Sequence, residues 1–436
     1  NDFCVTFVEV QDNNGVCSSS KVGLGGKITN EDNEAVENVT LEVNSGAAML
    51  NSVVTDASGE YEFVLPEGGD FSVTPMRNDD PANGVSTFDL VLMAQHVLQI
   101  NVLDSPYKLL AADITRNGSI DIFDMVELRQ LILFQIQEFA NVDSWIFIPR
   151  DYEFQNPVAP FSEDIPFHMD VDIEQDVVSA DFIGIKMGDL DADLSGFTDP
   201  SNLEERETPR TLVYELEDQV LKAGEKTMMN FKAKDFDQVL GFQFTLNFDA
   251  DLISVGAKQS GQLQVSDSNF GHRLLDLGAL TSSYHESKAI SLTDGSTLFA
   301  IEITAHADVQ LSKVIDLHDE YTIAEAYIAD GDKIDLQIDF GTSPEIVDDE
   351  FALYQNKPNP FKGETIIEFN LPDHTQEVIL TIYDVSGKVL YEVTQNFAAG
   401  KNQVVIHKTD LGQAGLLYYT LRSGQYVAQK KMIILE

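Results

Sequence analysis

The sequence is poor in cysteine, tryptophan and basic side chains, and it has no long apolar run. Its 436 residues include two Cys, one Trp and 27 Lys+Arg against 73 Asp+Glu, which gives a net charge of −46. So large an acidic excess disfavours binding to nucleic acid or to anionic membranes, because both are negatively charged. No stretch reaches the roughly 20 apolar residues of a membrane span, and no signal peptide opens the sequence.

Motifs of the common catalytic sites are also missing. The eight histidines form no His-x-x-x-His pair, and there is no Gly-x-Ser-x-Gly elbow, phosphate-binding glycine loop or Cys-x-x-Cys. In so acidic a chain, paired carboxylates are too frequent to indicate glycosidase chemistry. We therefore expect that the chain is not an enzyme.

The two cysteines, Cys4 and Cys17, lie close together on either side of an expected hairpin at 13–15. A pair so placed, in a chain rich in calcium-type loops, fits an oxidising, extracellular environment, and we expect a Cys4–Cys17 disulfide. Residues 1–20 are expected to be the last strands of a β-domain that continues upstream.

The most informative stretch is the twelve-residue segment 113–124. Oxygen-bearing side chains stand at positions 1, 3, 5, 9 and 12, glycine at position 6, and a residue offering its backbone carbonyl at position 7. The residues at these places are Asp113, Thr115, Asn117, Asp121, Asp124, Gly118 and Ser119. This is the spacing of an EF-hand-type loop, which wraps one Ca²⁺ in six to eight oxygens. The alternative is a polar turn before a helix capped near Asp121; we expect calcium.

A degenerate copy of this segment lies 35 residues upstream, at 78–89. Each copy ends in an apolar helix of about three turns, which needs cover on more than one face. The first loop has Ala at position 5 and Asn in place of the glycine, so it is the weaker site. Its candidate ligands are Asn78, Asp80, Gly84 and Asp89.

A third acidic segment, 189–195, has carboxylates at Asp189, Asp191 and Asp193. It is either another calcium loop or an acidic linker, and its sixth position is leucine rather than glycine. Residues 198–210 are then expected to be a linker.

Two loop–helix units without entering helices resemble a dockerin module. The resemblance implies a calcium-dependent pair that docks on a cohesin, with a following extension that packs back on the pair, over residues 77–197. It also implies that loop positions 10 and 11 face the partner; in this sequence they are Thr87, Phe88, Ile122 and Phe123. The alternative is that Phe88 and Phe123 fill the core of the module itself.

Period-two alternation of apolar and polar residues predicts strands on both sides of this module. Over 21–76 the alternation and the order of motifs resemble a Cna-B or carboxypeptidase-regulatory-like sandwich. Over 211–345 the alternating segment 242–248 and its neighbours resemble a cohesin-type sandwich, with a plain immunoglobulin-like spacer as the alternative.

The tail, residues 346–436, differs from the rest of the chain in charge. Residues 351–436 hold eight Lys/Arg and eight Asp/Glu, against 19 and 65 before them. The motifs Leu353-Tyr-Gln-Asn-Lys-Pro-Asn-Pro-Phe361 and Lys430-Lys-Met-Ile-Ile-Leu435 resemble a type A C-terminal sorting domain of the type IX secretion system of Bacteroidota. This implies a seven-stranded antiparallel sandwich, recognised by the secretion machinery through 351–436, on a secreted protein attached to the cell surface.

Together the patterns predict a mainly β, multidomain chain: tandem β-sandwiches with one small α module, the dockerin-like calcium pair. We expect a non-catalytic structural or adhesive region of a surface protein, with Ca²⁺ as its cofactor. The alternative is a region that displays a hydrolase or a carbohydrate-binding domain located upstream of the sequence. Because dockerin-like and cohesin-like regions occur in one chain, we also consider that they pair, within one molecule or head to tail between molecules.

Overall fold

The computed structural model describes residues 21–46, 48–66, 69–172, 178–192, 210–341, 351–372, 376–384, 387–398, 400–412, 415–424 and 426–434. The predicted Cys4–Cys17 disulfide, Asp193 and nearly all of the predicted linker lie outside these residues. The chain divides into two compact units, Asn1–Thr342 and Ser343–Glu436, and each is described by itself.

The first unit opens with five strands, whose inward residues build an apolar core. They are β1 (Lys21–Thr29), β2 (Thr40–Ser45), β3 (Ala48–Val54), β4 (Glu60–Pro66) and β5 (Asp70–Met76). In β4, Tyr61, Phe63 and Leu65 are buried and the residues between them are exposed. A strand with one face on a core shows this alternation.

Three helices follow: α1 (Thr87–Val97), α2 (Pro106–Ala112) and α3 (Ile122–Ile132). α1 and α3 begin with matching capping boxes, so the repeat seen in the sequence is also a repeat of local structure. The N-cap side chains are Ser86 and Asp121, and the carboxylates that return to the N-cap N–H are Asp89 and Asp124.

Four strands after the helices return to the first sandwich: β6 (Trp145–Pro149), β7 (Met169–Asp172), β8 (Val178–Ser179) and β9 (Phe182–Lys186). One sheet has the order β4-β1-β9-β6, with β8 also paired to β1, and the other has the order β3-β2-β5-β7. The sheets therefore cross the boundary predicted between residues 76 and 77, and the predicted extension belongs to both regions.

Strand β6 is buried along its whole length because it lies between two cores. Trp145 and Phe147 pack in the core of the first sandwich, while Ile146 and Ile148 pack in the core of the helices. Alternate residues of a strand point to opposite faces, so one strand can serve both cores. Helices α1 and α3, called the helix pair below, are thus fixed to the first sandwich, because strand β6 belongs to both cores.

A second, larger sandwich completes the first unit. Its elements are β10 (Thr211–Glu215), β11 (Val220–Leu221), β12 (Lys226–Lys234), β13 (Val239–Phe248), β14 (Ile253–Ser260), β15 (Phe270–Gly271), β16 (Ala279–Ile290), β17 (Thr297–Ala305), β18 (Val309–Gln310), α4 (Leu311–Val314), β19 (Ile315–Leu317), β20 (Glu325–Ile328) and β21 (Lys333–Asp339). The main sheet runs β14-β17-β12-β10-β21-β20-β13-β16-β15, with β19 paired to β13. Its core is rich in aromatic rings, among them Tyr214, Phe231, Phe242, Phe244 and Phe299.

The second unit is an all-β body with one short helix. Its elements are β22 (Ala352–Leu353), β23 (Glu364–Leu371), β24 (Gln376–Asp384), β25 (Val389–Phe397), β26 (Gly400–His407), α5 (Lys408–Leu411), β27 (Gly415–Ser423) and β28 (Tyr426–Ile434). They form two antiparallel sheets, β22-β23-β26 and β25-β24-β27-β28, around one apolar core.

The predicted fold class is confirmed: the chain is mainly β, with several sandwiches and a few short helices. In the described part of the chain, no helix is both long enough and apolar enough to cross a membrane.

Candidate metal centre and docking face

The second loop, 113–124, folds around its own carboxylates. Asp113 accepts from the backbone N–H of Asn117 at 3.0 Å and from that of Gly118 at 3.1 Å. Gly118 has φ +82°, a conformation that costs glycine little and other residues more. Burial raises the pKa of the Asp113 carboxyl above its ordinary value, and the bond from Gly118 lowers it.

Asp124 closes this loop from the first turn of α3. It is fully buried and accepts from the Thr115 N–H at 2.9 Å, the Thr115 hydroxyl at 2.8 Å and the Asp121 N–H at 2.9 Å. Residues 113–124 therefore do form a polar turn before a capped helix, which was the alternative to a calcium loop. A carboxylate has about four acceptor sites, so these bonds leave Asp124 able to ligate an ion as well.

The second loop contains oxygen ligands and buried carboxylates, and the charge of its own Arg116 lowers the pKa of Asp113. Among the described residues, no Lys, Arg or His makes a salt bridge to Asp113, Asp121 or Asp124. Hard cations such as Ca²⁺ prefer oxygen ligands of this kind. The oxygen ligands of the second loop therefore fit calcium.

The first loop, 78–89, has a different structure, because its predicted ligands are engaged with the protein. The Asn78 side-chain oxygen accepts from the Ser144 N–H at 2.8 Å. The Lys186 ammonium donates to the backbone carbonyls of Asp80 at 3.0 Å and Pro81 at 2.8 Å. Lys186 is only 5 % exposed, and this burial lowers its pKa to about 8.

The last ligand of the first loop, Asp89, meets the third acidic segment instead of Asp80. Within the part of the chain that the structure describes, one group of three acidic residues has ligand atoms all within 4.8 Å of one another: Asp89, Asp189 and Asp191. Asp89 is fully buried and accepts from the N–H groups of Ser86 at 2.8 Å and Leu190 at 2.7 Å.

Mutual repulsion and burial both act on this acidic group. Burial raises the pKa of Asp89 well above its ordinary value, and the carboxylates of Asp191 and Asp189 raise it further. Burial, followed by the charge of Asp191, raises the pKa of Asp189 to about 8. The Lys333 ammonium of β21 lies 3.0 Å from Oδ2 of Asp191, and the charges of Lys186 and Lys333 both lower the pKa of Asp189.

Helix α1 docks by its N-terminus on β13 and β16 of the second sandwich. The Thr87 N–H donates to Oε1 of Gln243 at 2.7 Å, and the Thr87 hydroxyl lies 2.7 Å from that of Ser283. Phe88 stacks on Tyr327 of β20 with ring centroids 5.4 Å apart. Thr87 is fully buried, so the contact excludes water from this end of the helix.

The other end of the pair, the C-terminus of α3, meets the same sheet. The Thr322 hydroxyl donates to the Ile132 carbonyl at 2.8 Å, and the Thr281 hydroxyl donates to the Leu133 carbonyl at 2.8 Å. The last carbonyls of a helix have no hydrogen-bond donor within the helix. Here the side chains of the sandwich donate to them. A Cβ on Gly271 would collide with the Leu133 carbonyl and the Thr281 hydroxyl.

A buried Arg–His contact lies between these two ends. A guanidinium nitrogen of Arg129 lies 3.0 Å from Nδ1 of His285. Arginine has no acceptor, so Nδ1 of His285 must be the acceptor and the imidazole must be neutral. Burial, followed by the charge of Arg129, lowers the pKa of His285 to about 3.

The structure separates the four residues that the dockerin resemblance places at a partner surface. Thr87 and Phe88 lie in the contact with the second sandwich. Ile122 and Phe123, which hold the same places on α3, are 61 % and 67 % exposed. Phe88 and Phe123 are therefore not core residues of the helix module.

Sequence reasoning missed the residues that receive the helices. Gln243 and Thr245 alternate with the core aromatics of β13, which is usual for a solvent face, yet they are 4 % and 0 % exposed. One feature of the sequence could have indicated their burial: both residues are uncharged, although the chain is strongly acidic. Lys186 and Lys333 had no signal in the sequence, because only the fold brings them to the acidic segments.

The second unit carries the family match. Residues 357–435 match the family described as "Secretion system C-terminal sorting domain". The chain is a secreted protein. The sorting domain predicted from the tail motifs and the predicted localisation are thereby confirmed. No curated protein matches the chain in sequence.

Solved structures that resemble part of the chain include several cohesins. The sixth cohesin of scaffoldin B from Acetivibrio cellulolyticus, solved in complex with a Cel5 dockerin, is 12 % identical, with 30 % of this chain and 95 % of that chain covered and a TM-score of 0.25. A cohesin–dockerin complex from Clostridium thermocellum gives 16 % identity, 30 % and 94 % coverage and a TM-score of 0.24. The type II cohesin dyad of the Acetivibrio cellulolyticus scaffoldin ScaA is 10 % identical, with 49 % of this chain and 89 % of that chain covered and a TM-score of 0.28. Similarity at this level supports no conclusion about partners.

Proposed function

We propose that the chain is a non-catalytic, structural or adhesive region of a surface-attached secreted protein. In this proposal the dockerin-like helix pair docks on the second sandwich of its own chain and joins the two sandwiches of the first unit. The observation that carries the proposal is the buried contact of Thr87 with Gln243 and Ser283.

The character of the contact supports a permanent association within one molecule. At least six hydrogen bonds between described residues cross it, five of them given above, and each contributes about 0.5–1.5 kcal/mol net when its partners are satisfied. The sixth joins the Gln135 side chain to the Phe270 carbonyl at 2.9 Å. Because β6 and β9 also fix the helices to the first sandwich, the helices are held from both sides.

Docking in this manner bears on self-association. Helix α1 and the β13–β16 face cover each other, so a head-to-tail filament through that face requires the contact to open first. The exposed Ile122 and Phe123 remain available for contacts with other molecules. If α3 took the place of α1 on this face, Ile122 would stand where Thr87 stands. Ile122 has no hydroxyl, so the Ser283 hydroxyl would lose its hydrogen-bond partner.

We also propose that calcium stabilises the helix pair through the second loop. Asp113, Asn117, Ser119, Asp121 and Asp124 would hold the ion, with Thr115 in support. When bound, the ion would neutralise the carboxylates of Asp113 and Asp124, which are buried and make no salt bridge to a described residue. An ion that binds only the folded state adds to the free energy of unfolding.

The docking proposal is tested by a charge placed at equivalent positions of the two helices. Thr87→Lys puts an ammonium into the contact, whereas Ile122→Lys puts it at the matching, exposed first residue of α3. We expect Thr87→Lys to raise hydrogen exchange in β13 and β16 and to increase the radius of gyration in X-ray scattering, and Ile122→Lys to change neither. Equal behaviour of the two variants would contradict docking within the chain.

A further inference from the structure

We infer that two lysines take the place of a metal ion in the first loop, so that the docked half of the helix pair is held without calcium. This inference rests on the proposed docking and deepens it. It assigns Lys186 and Lys333 the role of built-in counter-cations and leaves the second loop as the calcium site of the pair.

Lys186 occupies the beginning of the first loop. Its ammonium donates to two successive loop carbonyls, those of Asp80 and Pro81, and is almost fully buried. Backbone carbonyls are typical calcium ligands, and an ammonium is a compact cation with three donors that can bind several oxygens at once. The loop is thus folded around a covalently attached cation from β9.

Lys333 contacts, through Asp191, the acidic group to which the last residue of the first loop belongs. The ligand atoms of Asp89, Asp189 and Asp191 lie within 4.8 Å of one another, a spacing that oxygens around one Ca²⁺ also have, at about 2.3–2.6 Å from the ion. Lys333 belongs to the second sandwich, and its ammonium reaches Asp191 at 3.0 Å with 12 % of its side chain exposed. The counter-cation of this group therefore comes from across the docking contact.

Two of the remaining ligand places of the first loop do not fit an ion. The Asn78 side chain is bonded to Ser144, and position 5 is Ala82, which offers no side-chain oxygen. The first loop thus departs from what the dockerin resemblance implies. The second loop has oxygen ligands at all its predicted places and, among the described residues, no salt bridge to its carboxylates, and it agrees with the resemblance.

The two loops are therefore stabilised by different cations. The docking of α1 is stabilised by lysines that cannot dissociate, and it persists when calcium is removed. Calcium acts on α3 alone, at the end of the pair that carries the exposed Ile122 and Phe123. The contact of α1 with the second sandwich, through Thr87, is then insensitive to the calcium concentration around the cell.

Calcium stoichiometry tests this assignment directly. Isothermal titration of the metal-free full chain with Ca²⁺ should give one high-affinity ion for the helix pair, and Asp113→Ala should abolish it. A high-affinity ion that persists in Asp113→Ala and is lost in Asp89→Asn would overturn the inference.

A gain of binding gives the complementary test. Lys333→Met removes the ammonium from Asp89, Asp189 and Asp191, and should create a second calcium site whose binding restores the docked state. The matched control is Lys226→Met, because Lys226 also lies 3.0 Å from a carboxylate, that of Glu302, but is 62 % exposed. Lys333→Met without a new site, whether folded or not in excess calcium, would overturn the inference, as would an equal gain in the control.

Failure of the docking proposal can be told apart from failure of this inference. If Thr87→Lys leaves hydrogen exchange in β13 and β16 unchanged, docking is wrong whatever the stoichiometry. If docking holds and the wild-type chain loads the Asp89 group with Ca²⁺, only the role of the lysines is wrong.

Discussion

The pair of hydroxyls at the docking contact allows a quantitative prediction. Thr87 and Ser283 are both fully buried, and their oxygens lie 2.7 Å apart. Thr87→Val keeps the shape of the side chain but leaves the Ser283 hydroxyl without this partner. A buried hydroxyl left unsatisfied costs about 1–3 kcal/mol, so we expect the free energy of unfolding to fall by that amount.

The double variant distinguishes a hydrogen bond from mere proximity. Ser283→Ala alone should also cost about 1–3 kcal/mol, because it leaves the Thr87 hydroxyl unsatisfied. Removing both hydroxyls leaves no unsatisfied group. The cost of Thr87→Val with Ser283→Ala should therefore be smaller than the sum of the single costs by about 1 kcal/mol or more.

Urea unfolding followed by tryptophan fluorescence is a suitable assay. Trp145 is the only tryptophan of the chain, and it is buried in the first unit, so the signal reports that unit alone. The matched control pairs Ile122→Val with Ser283→Ala, for which we expect additive costs because Ile122 is exposed. Additivity of the Thr87 and Ser283 costs to within about 0.3–0.5 kcal/mol would refute the docking contact.

Three further predictions follow from the same geometry. Gly271→Ala should lower the free energy of unfolding by about 1–3 kcal/mol in the same assay, because its methyl group collides with the Leu133 carbonyl. Gly23→Ala, whose methyl group meets only the flexible end of the Glu62 side chain, should have little effect. Chelation should lower the melting temperature of the first unit in the wild type and not in Asp113→Ala, since an ion at 100 times its Kd contributes about 2.7 kcal/mol; equal shifts would contradict a site in the second loop. Since the pKa of His285 is lowered to about 3 in the folded chain, the unfolded chain binds an extra proton between that pH and about 6.5. Stability should therefore fall on acidification through this window by up to about 1.4 kcal/mol per pH unit, and His285→Gln should remove that part of the slope in paired urea titrations; parallel slopes would argue against a neutral, buried His285.

Local patterns predicted what depends on local chemistry. The alternation in β4 and β13, the capped helix start at Asp121 and the sorting motifs of the tail each depend on residues that are close together in the sequence. The sequence also singled out Thr87 and Phe88, because the dockerin resemblance fixes their places in the repeat. These features need no knowledge of which distant segments meet.

Contacts between distant segments were not predictable from the same patterns. Asp89 meets Asp189 and Asp191 from a segment about 100 residues away, and Lys333 joins them from another sandwich. The sequence indicated two separate acidic sites, since spacing within a segment says nothing about its neighbours in space. Likewise Gln243 and Thr245 have the alternation of an exposed face, but Gln243 contacts Thr87 of α1 and Thr245 contacts Thr322 of a distant loop, and both are buried.

The claim that the helix pair docks on its own chain is tested most directly by a disulfide. In a chain with Cys4 and Cys17 replaced by serine, Thr87→Cys with Ser283→Cys places two sulfurs where hydroxyl oxygens lie 2.7 Å apart. Mild oxidation should link them within the monomer, seen as joined peptides in the mass spectrum of a non-reduced digest, while Ile122→Cys with Ser283→Cys should remain unlinked. A Thr87–Ser283 pair that stays reduced, or that links only two chains into a dimer, would contradict docking in one molecule.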